Sequence, residues 1–248
     1  MQKKNHICLL TSCIIPNTKT GPISNLSKKE RIIQLTNNLN YLLKTQLFRD
    51  IYVIDPFLNS SNNIKQFTYF ISKNGLIKSD NVKYIKFKPD DKTKLQIQKK
   101  GKGYSELEMI IAANKKIKTE YPDTLIHKIS GRYKILNIRK IIKKSEVIFF
   151  SNKKLFLPYS RLLSKCYTVI MSYKSDLDLQ LFINCLKDID DQQKNYIEHS
   201  LYSNLVKKKI AYRNNTIPKF EKNMLGGSKQ GKYGIFKQLI NKFLYGYI

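Results

Sequence analysis

Acidic residues are scarce: 18 Asp and Glu stand against 46 Lys and Arg, leaving a formal net charge of +28. Such an excess attracts polyanions such as nucleic acid, anionic lipid or phosphorylated ligands, although scattered lysines in a chain rich in Lys, Asn and Ile do not choose among them. Tryptophan is absent, and only 10 of the 248 residues are glycine and 7 proline. With 42% hydrophobic residues and a mean hydropathy of −0.41, that is no linker or disordered chain but enough for one sizeable core. There is no run of about 18 apolar residues, so no transmembrane helix is expected. The start, MQKKNHICLLTSCIIPN, has no small-residue cleavage site and reads as a first strand rather than a signal peptide. The four cysteines, at 8, 13, 166 and 185, form no C-x-x-C pair, and there are three histidines. Reduced thiols in a cytosol fit this better than a zinc site or disulfide framework.

What is there alternates. His6–Ile14 is a strand, followed by a Pro16–Pro22 loop. Ser27 and Glu30 have capping-box spacing, with Ile32, Leu35, Leu39 and Leu42 behind them at helical intervals. Arg49–Asp55 and Asn81–Phe87 are strands, and Lys88–Lys100 reads as a polar loop. Ser105 and Glu108 form a second capping box, starting a helix just after Tyr104. Thr124–Ile129 is a strand, "IRKIIKK" a short helix, and Glu146–Ser151 and Cys166–Tyr173 further strands. Ser175-Asp176 opens a helix toward Leu186, Asp190–Gln193 caps another, and "IAYR" is a last strand. The alternation predicts an α/β layered fold with a mostly parallel sheet, whose ligands lie beyond the carboxyl ends of strands. Asp55, Ser130–Tyr133 and the loop after Tyr173 are expected there. Residues 1–222 form the domain; 223–248 are a glycine-rich spacer and a basic amphipathic helix, Ile235–Ile248, able to lie on an anionic membrane surface or on the domain itself.

Two stretches have ligand chemistry. Gly101-Lys102-Gly103-Tyr104 precedes a helix N-terminus, whose exposed amides and partial positive charge suit phosphate, though it is neither a Walker loop nor a dinucleotide fingerprint. Glu108 is assigned to capping; Glu106 has no such duty and is expected to face a ligand. At the end of a core strand, Lys128 and Arg132 bracket Ser130-Gly131. An arginine fork suits phosphate, Gly131 permits close approach, and Tyr133 offers a ring.

On these residues a resemblance rests. KGKGYSELEMI, HKISGRYKILN and NYIEHSLYSNL, with ICLLTSCI, ERIIQL and IYVIDPF before them, resemble bacterial surface-polysaccharide glycosyltransferases of GT-A type, over roughly residues 5–210. It implies a GT-A-like (Rossmann-like) mixed, mostly parallel sheet flanked by helices. It also implies transfer of a sugar from a nucleotide-sugar donor to a glycan or lipid-linked acceptor, in capsule, lipopolysaccharide or O-antigen assembly, on the cytoplasmic face of a membrane. On that pattern Arg31 and Asp55 lie near the nucleotide. Lys102, Gly103, Tyr104, Glu106, Lys128, Ser130, Gly131, Arg132 and Tyr133 enclose the diphosphate and sugar, and Glu198 and His199 stand near the reacting carbon. Glu198 is the carboxylate that would deprotonate an acceptor hydroxyl. The family's metal-binding Asp-x-Asp is replaced by Ser130-Gly131-Arg132, so Lys128 and Arg132 are expected to stand in for the metal's charge. Asp176-Leu177-Asp178 has D-x-D spacing but is more naturally an N-cap, which leaves a divalent Mg2+ or Mn2+ as the weaker alternative. A basic nucleic-acid-binding module, disfavoured by the lack of any recognition motif, and a non-catalytic partner in glycan assembly are the competing classes.

Overall fold

The structure is a computed structural model, and it describes residues 6–15, 26–77, 79–150, 155–213, 216 and 218–221. The expected tail helix at 235–248 and the spacer before it lie outside these residues.

A seven-stranded sheet forms the centre. Its strands are β1 (His6–Thr11), β2 (Asp50–Ile54), β3 (Val82–Ile85), β4 (Leu125–Ser130), β5 (Leu155–Leu157), β8 (Ile170–Lys174) and β9 (Ala211–Arg213). The short strands β6 (Tyr159–Ser160) and β7 (Lys165–Cys166) make a separate ribbon. Spatial order is β3-β2-β1-β4-β8-β5-β9. The strands are parallel except β8, which runs antiparallel to both β4 and β5. The helices are α1 (Lys28–Thr45), α2 (Ser61–Lys73), α3 (Asp91–Lys100), α4 (Lys102–Glu120), α5 (Ile138–Phe150), α6 (Gln180–Asp188) and α7 (Ile197–Leu201), the last continuing into a π-helical turn, Tyr202–Val206.

Alternation along the strands sorts the core into two layers, because successive strand residues face opposite sides. Cys8, Leu10, Ile51 and Val53 face α1, α2 and α5, while Ile7, Leu9, Tyr52 and Ile54 face α4, α6 and α7. The mixed, mostly parallel, helix-flanked Rossmann-like sheet is the expected fold. The chain leaves β1 outward through α1, β2, α2 and β3, then returns through α3 and α4 to set β4 on β1's other side. The pair β1–β4 is therefore the topological switch point.

Several local expectations change. Residues 91–100 are a helix, not a loop: the Asp90 carboxylate accepts from the Thr93 amide at 2.7 Å, and basic Lys99 and Lys100 suit the C-terminal dipole. Having no buried residue, α3 gives no apolar stripe to read. Glu146–Phe150 is the last part of α5, not a strand, since Ile138, Ile141, Ile142 and Ser145 recur at helical spacing and are all buried. Helix α4 starts four residues earlier than a Ser105–Glu108 box would place it. The loop after Tyr173 follows an antiparallel strand, so it lies at the opposite sheet edge from Asp55 and Ser130. The first box holds: Ser27 Oγ accepts from the Glu30 amide at 3.2 Å, and the Glu30 carboxylate accepts from the Ser27 amide at 2.7 Å.

A buried polar chain crosses the sheet. Glu146 Oε1 lies 2.7 Å from His6 Nε2, His6 Nδ1 2.9 Å from His127 Nε2, and His127 Nδ1 2.8 Å from Ser172 Oγ. It ties α5, β1, β4 and β8 together. The four cysteines are unpaired thiols.

Candidate active site

Thr11 and Ser130 sit in register at the carboxyl ends of β1 and β4. Over them, one turn into α4, Glu106 accepts from Thr11 Oγ1 at 3.1 Å and from Lys128 Nζ at 2.5 Å. Burial pushes the Glu106 carboxyl up, but the Lys128 charge and hydrogen bond, with Thr11 and Arg132, take it below the ordinary carboxylate value. Lys128 is 1% exposed. Its ammonium also donates to the Thr168 carbonyl at 2.7 Å and Ser130 Oγ at 3.2 Å. An ammonium has three protons, and all three have protein acceptors. Lys128 thus cannot serve as the expected stand-in for a metal; it is the internal counter-ion of Glu106. Glu106 in turn has a structural duty after all.

Thr168 links this pair to Glu198. Its hydroxyl lies 3.3 Å from Glu198 Oε1. Burial raises the Glu198 carboxyl above its ordinary value, Glu106 raises it further, and Lys102 opposes them. His199 does not join them. Its ring stacks on Tyr196 at 5.9 Å, and its imidazole is lowered by burial and by Lys165. Adjacent helical residues point about 100° apart, and here only Glu198 meets the carboxyl-end cluster.

Asp55 is 1% exposed. It accepts from Ser12 Oγ at 2.6 Å, the Ile14 amide at 2.9 Å and the Phe57 amide at 2.9 Å. These bonds fasten the segment after β1 to the end of β2. Arg31 holds the same segment from α1, donating to the Cys13 carbonyl at 3.3 Å and the Leu26 carbonyl at 3.1 Å. Burial, and then the nearby Arg132 charge, lower its pKa. Arg132 is half-buried; its guanidinium lies over the Tyr133 ring at 5.6 Å, and its charge acts on Arg31, Cys13 and Glu106. Burial and Asp55 push the Cys13 thiol up to about 12, so it is no nucleophile at neutral pH. Tyr133 is 6% exposed and packs on Phe220 at 5.6 Å, a core ring rather than a stacking platform. At Gly131 an added Cβ would lie 2.9 Å from Leu35 Cδ1 and 3.3 Å from the Thr11 carbonyl, so this glycine lets β4 close on β1 and α1.

The α4 N-terminus already holds an anion. The Gly103 amide donates to Asp191 Oδ2 at 3.2 Å, and the Asp191 amide donates to the Lys100 carbonyl at 2.8 Å. Gly101 has φ +98°, and a Cβ there would stand 2.7 Å from Asp191. The glycines of the expected phosphate loop thus admit a carboxylate of the chain itself. Lys102 is exposed, and its charge acts on Asp191 and Glu198. Tyr104 faces the other way, into a groove beside α3 and α6. The Asp190-Asp191 pair belongs to a turn closed by Asp190–Asn195 pairing and does not cap the following helix α7, whose N-cap is Tyr196.

Asp178 Oδ1 accepts from the Gln180 amide at 2.9 Å, an N-terminal contact of α6. With Asp176 it lies at the sheet edge away from the cluster. The residues present do not make a metal cradle: the Asp-x-Asp place is Ser130-Gly131-Arg132, Asp55 is held by three donors, Glu106 by Lys128. No group of three or more His, Cys, Asp or Glu able to hold a metal occurs among the described residues.

Of the expected residues, then, the fold gathers Arg31, Asp55, Lys102, Gly103, Glu106, Lys128, Ser130, Gly131, Arg132 and Glu198 around one strand-end region; Tyr133 sits beside them with its ring turned into the core, and Tyr104, His199, Asp176 and Asp178 lie apart. Thr11, Ser12, Thr168 and Asp191 were missed. The first two end a strand and were legible as such. Thr168 and Asp191 reach the site only through tertiary packing.

No family model and no curated protein sequence matches this chain. Among solved structures, mouse xyloside xylosyltransferase 1 in apo form is similar with a TM-score of 0.45, at 10% identity over 85% of this chain and 84% of that one. The 4-diphosphocytidyl-2C-methyl-D-erythritol synthase of Anaerococcus prevotii gives 0.41, at 7% identity over 75% and 78%. A UDP-glucose pyrophosphorylase complexed with UDP-glucose gives 0.39, at 11% identity over 87% and 91%. Likenesses this weak decide nothing; the fold stands on its own strand order.

Proposed function

We propose that the chain is a nucleotide-sugar-dependent glycosyltransferase of surface-glycan assembly. The observation that carries this reading is the convergence of Glu106, Lys128 and Glu198 at the β1–β4 switch point, where open α/β sheets bind ligands. It is supported by the resemblance of HKISGRYKILN and NYIEHSLYSNL, which supply Lys128, Arg132 and Glu198. In this mechanism Glu198, its carboxyl raised by burial, takes the proton of an acceptor hydroxyl. The acceptor oxygen bonds to the anomeric carbon, the bond from that carbon to the phosphate oxygen breaks, and the nucleoside diphosphate leaves with the electron pair. Arg132 and exposed Lys102 supply positive charge for the departing phosphates. The Glu106–Lys128 pair holds the strand end and α4 in place, and Asp55 and Arg31 order the segment after β1 against the nucleotide.

Thermal-shift titration with UDP-, GDP-, CMP- and dTDP-sugars tests this. One donor class should stabilise the chain by about 2.7 kcal/mol at a hundredfold excess over Kd. A flat response to all four would sink the reading. Arg132→Ala should abolish the shift. Glu198→Gln should keep it while turnover falls about 10²–10⁴-fold. Because a base must be deprotonated, turnover should also fall on the acid side at a pH above the ordinary carboxylate value of 4.5.

A further inference from the structure

A second concave feature lies outside that cleft. A groove of about 420 Å³ runs between α3, α4 and α6. Its floor is apolar: Tyr104, Ile111 and Leu186 are buried, and Ile183 is 37% exposed. Its rim has exposed Lys92, Lys115 and Lys187, none of which makes a side-chain hydrogen bond or ion pair among the described residues, although the Lys115 charge acts on Glu108 and that of Lys92 on Asp90. Lys100 is already used, donating to the Leu186 and Lys187 carbonyls at 3.0 Å each. The one carboxylate, Glu108, is hydrogen-bonded by the Tyr104 hydroxyl. On α3, Leu95 lies three residues after Lys92, hence next to it on the surface, and is 64% exposed. Helix α3 buries no residue, so nothing in the core explains a leucine there.

We propose that this groove seats an anionic lipid of a membrane surface, its phosphate among Lys92, Lys115 and Lys187 and its apolar start on Ile111, Ile183 and Leu186. Cations around an apolar floor match an amphiphile with a negative head. A nucleic acid fits less well: the groove's aromatic, Tyr104, is 9% exposed and has the Lys100 ammonium over its ring at 5.4 Å, leaving no face for a base. Two residues apart on one helix, Tyr104 and Glu106 point about 200° apart. The lipid would therefore sit across α4 from the Glu106–Lys128 pair, orienting the cleft relative to the membrane. The inference does not depend on the proposed transferase activity.

Co-sedimentation of the full chain with phosphatidylcholine vesicles, with and without phosphatidylglycerol, tests it. Wild type should bind the anionic vesicles only. Each surface lysine is worth about fivefold in partitioning, so the Lys92→Gln/Lys115→Gln/Lys187→Gln variant should lose about a hundredfold. Ile183→Ser should weaken binding without changing its salt dependence. Melting curves check that these exposed substitutions leave the fold intact. The proposal is overturned if wild type ignores phosphatidylglycerol, or if the triple variant binds as wild type while Lys237→Gln/Lys242→Gln in the tail abolishes binding. It is equally overturned if the triple variant's defect appears with random single-stranded RNA and not with vesicles.

Discussion

Lys128 and Glu106 form a nearly enclosed ion pair, the lysine 1% and the glutamate 26% exposed at the side chain. Removing one member leaves a buried charge without its partner. Glu106→Gln is therefore expected to lower stability by about 3 kcal/mol, and Glu106→Gln/Lys128→Met to recover more than half of it. Urea denaturation of the four-member cycle measures this; a double variant no better than the single would mean the two do not act as a unit. Gly101 is the second residue with a decisive surrounding. A methyl there meets Asp191 at 2.7 Å on a backbone of φ +98°, so Gly101→Ala should lose about 2 kcal/mol. Asp191→Ala should relieve the steric part in the double variant, read from the same denaturation midpoints. Residue identity alone left both cases open. A lysine near a serine-glycine turn looks like a phosphate ligand until the geometry shows three acceptors around it. Two glycines before a helix look like an anion cradle until Asp191, some 90 residues later, is found in it.

At the scale of elements, the local signals that survived are those complete within a few residues. The Ser27–Glu30 box needs only one turn, and α1 forms where it says. The second box, Ser105–Glu108, has the same spacing, yet α4 starts at Lys102 because Asp191 caps it from outside. Helix α3 shows the opposite failure: it has a good cap and no apolar stripe, so periodicity finds nothing. Its dependence on that cap is testable. Asp90→Ala should lower stability by about 1 kcal/mol and speed hydrogen exchange at the Thr93 amide, whose acceptor it removes. Unchanged exchange at Thr93 would show that α3 does not rest on the Asp90 cap. The β-branched and aromatic run Glu146–Phe150 has strand propensity, but Ile138, Ile141 and Ile142, buried upstream at helical spacing, bind α5 to the sheet, and the helix continues to Phe150.

For the molecule as a whole, the chain Glu146–His6–His127–Ser172 couples one helix and three strands to pH. His127 is fully buried, with the Phe48 ring also against it, and burial, then the His6 charge, hold its imidazole well below 6.5. Below that value the unfolded chain binds a proton that the native chain refuses. This contribution is therefore complete above about pH 6.5 and declines by about 1.4 kcal/mol per unit as pH falls. Urea midpoints between about pH 5 and 8 should show this slope, and His127→Asn should flatten it; equal slopes would assign it elsewhere. By itself the sequence determined the α/β alternation, the first helix cap and the strand-end position of Asp55 and Ser130–Arg132, because these depend on neighbours within a few residues. Only the tertiary structure decided the reversal of β8, which carries Asp176 and Asp178 to the far edge, the pairing of Lys128 with Glu106, and the arrival of Asp191 and Thr168 at the cleft. Strand direction, burial and charge partnership across a hundred residues are set by how layers pack, and one-dimensional spacing contains no record of that.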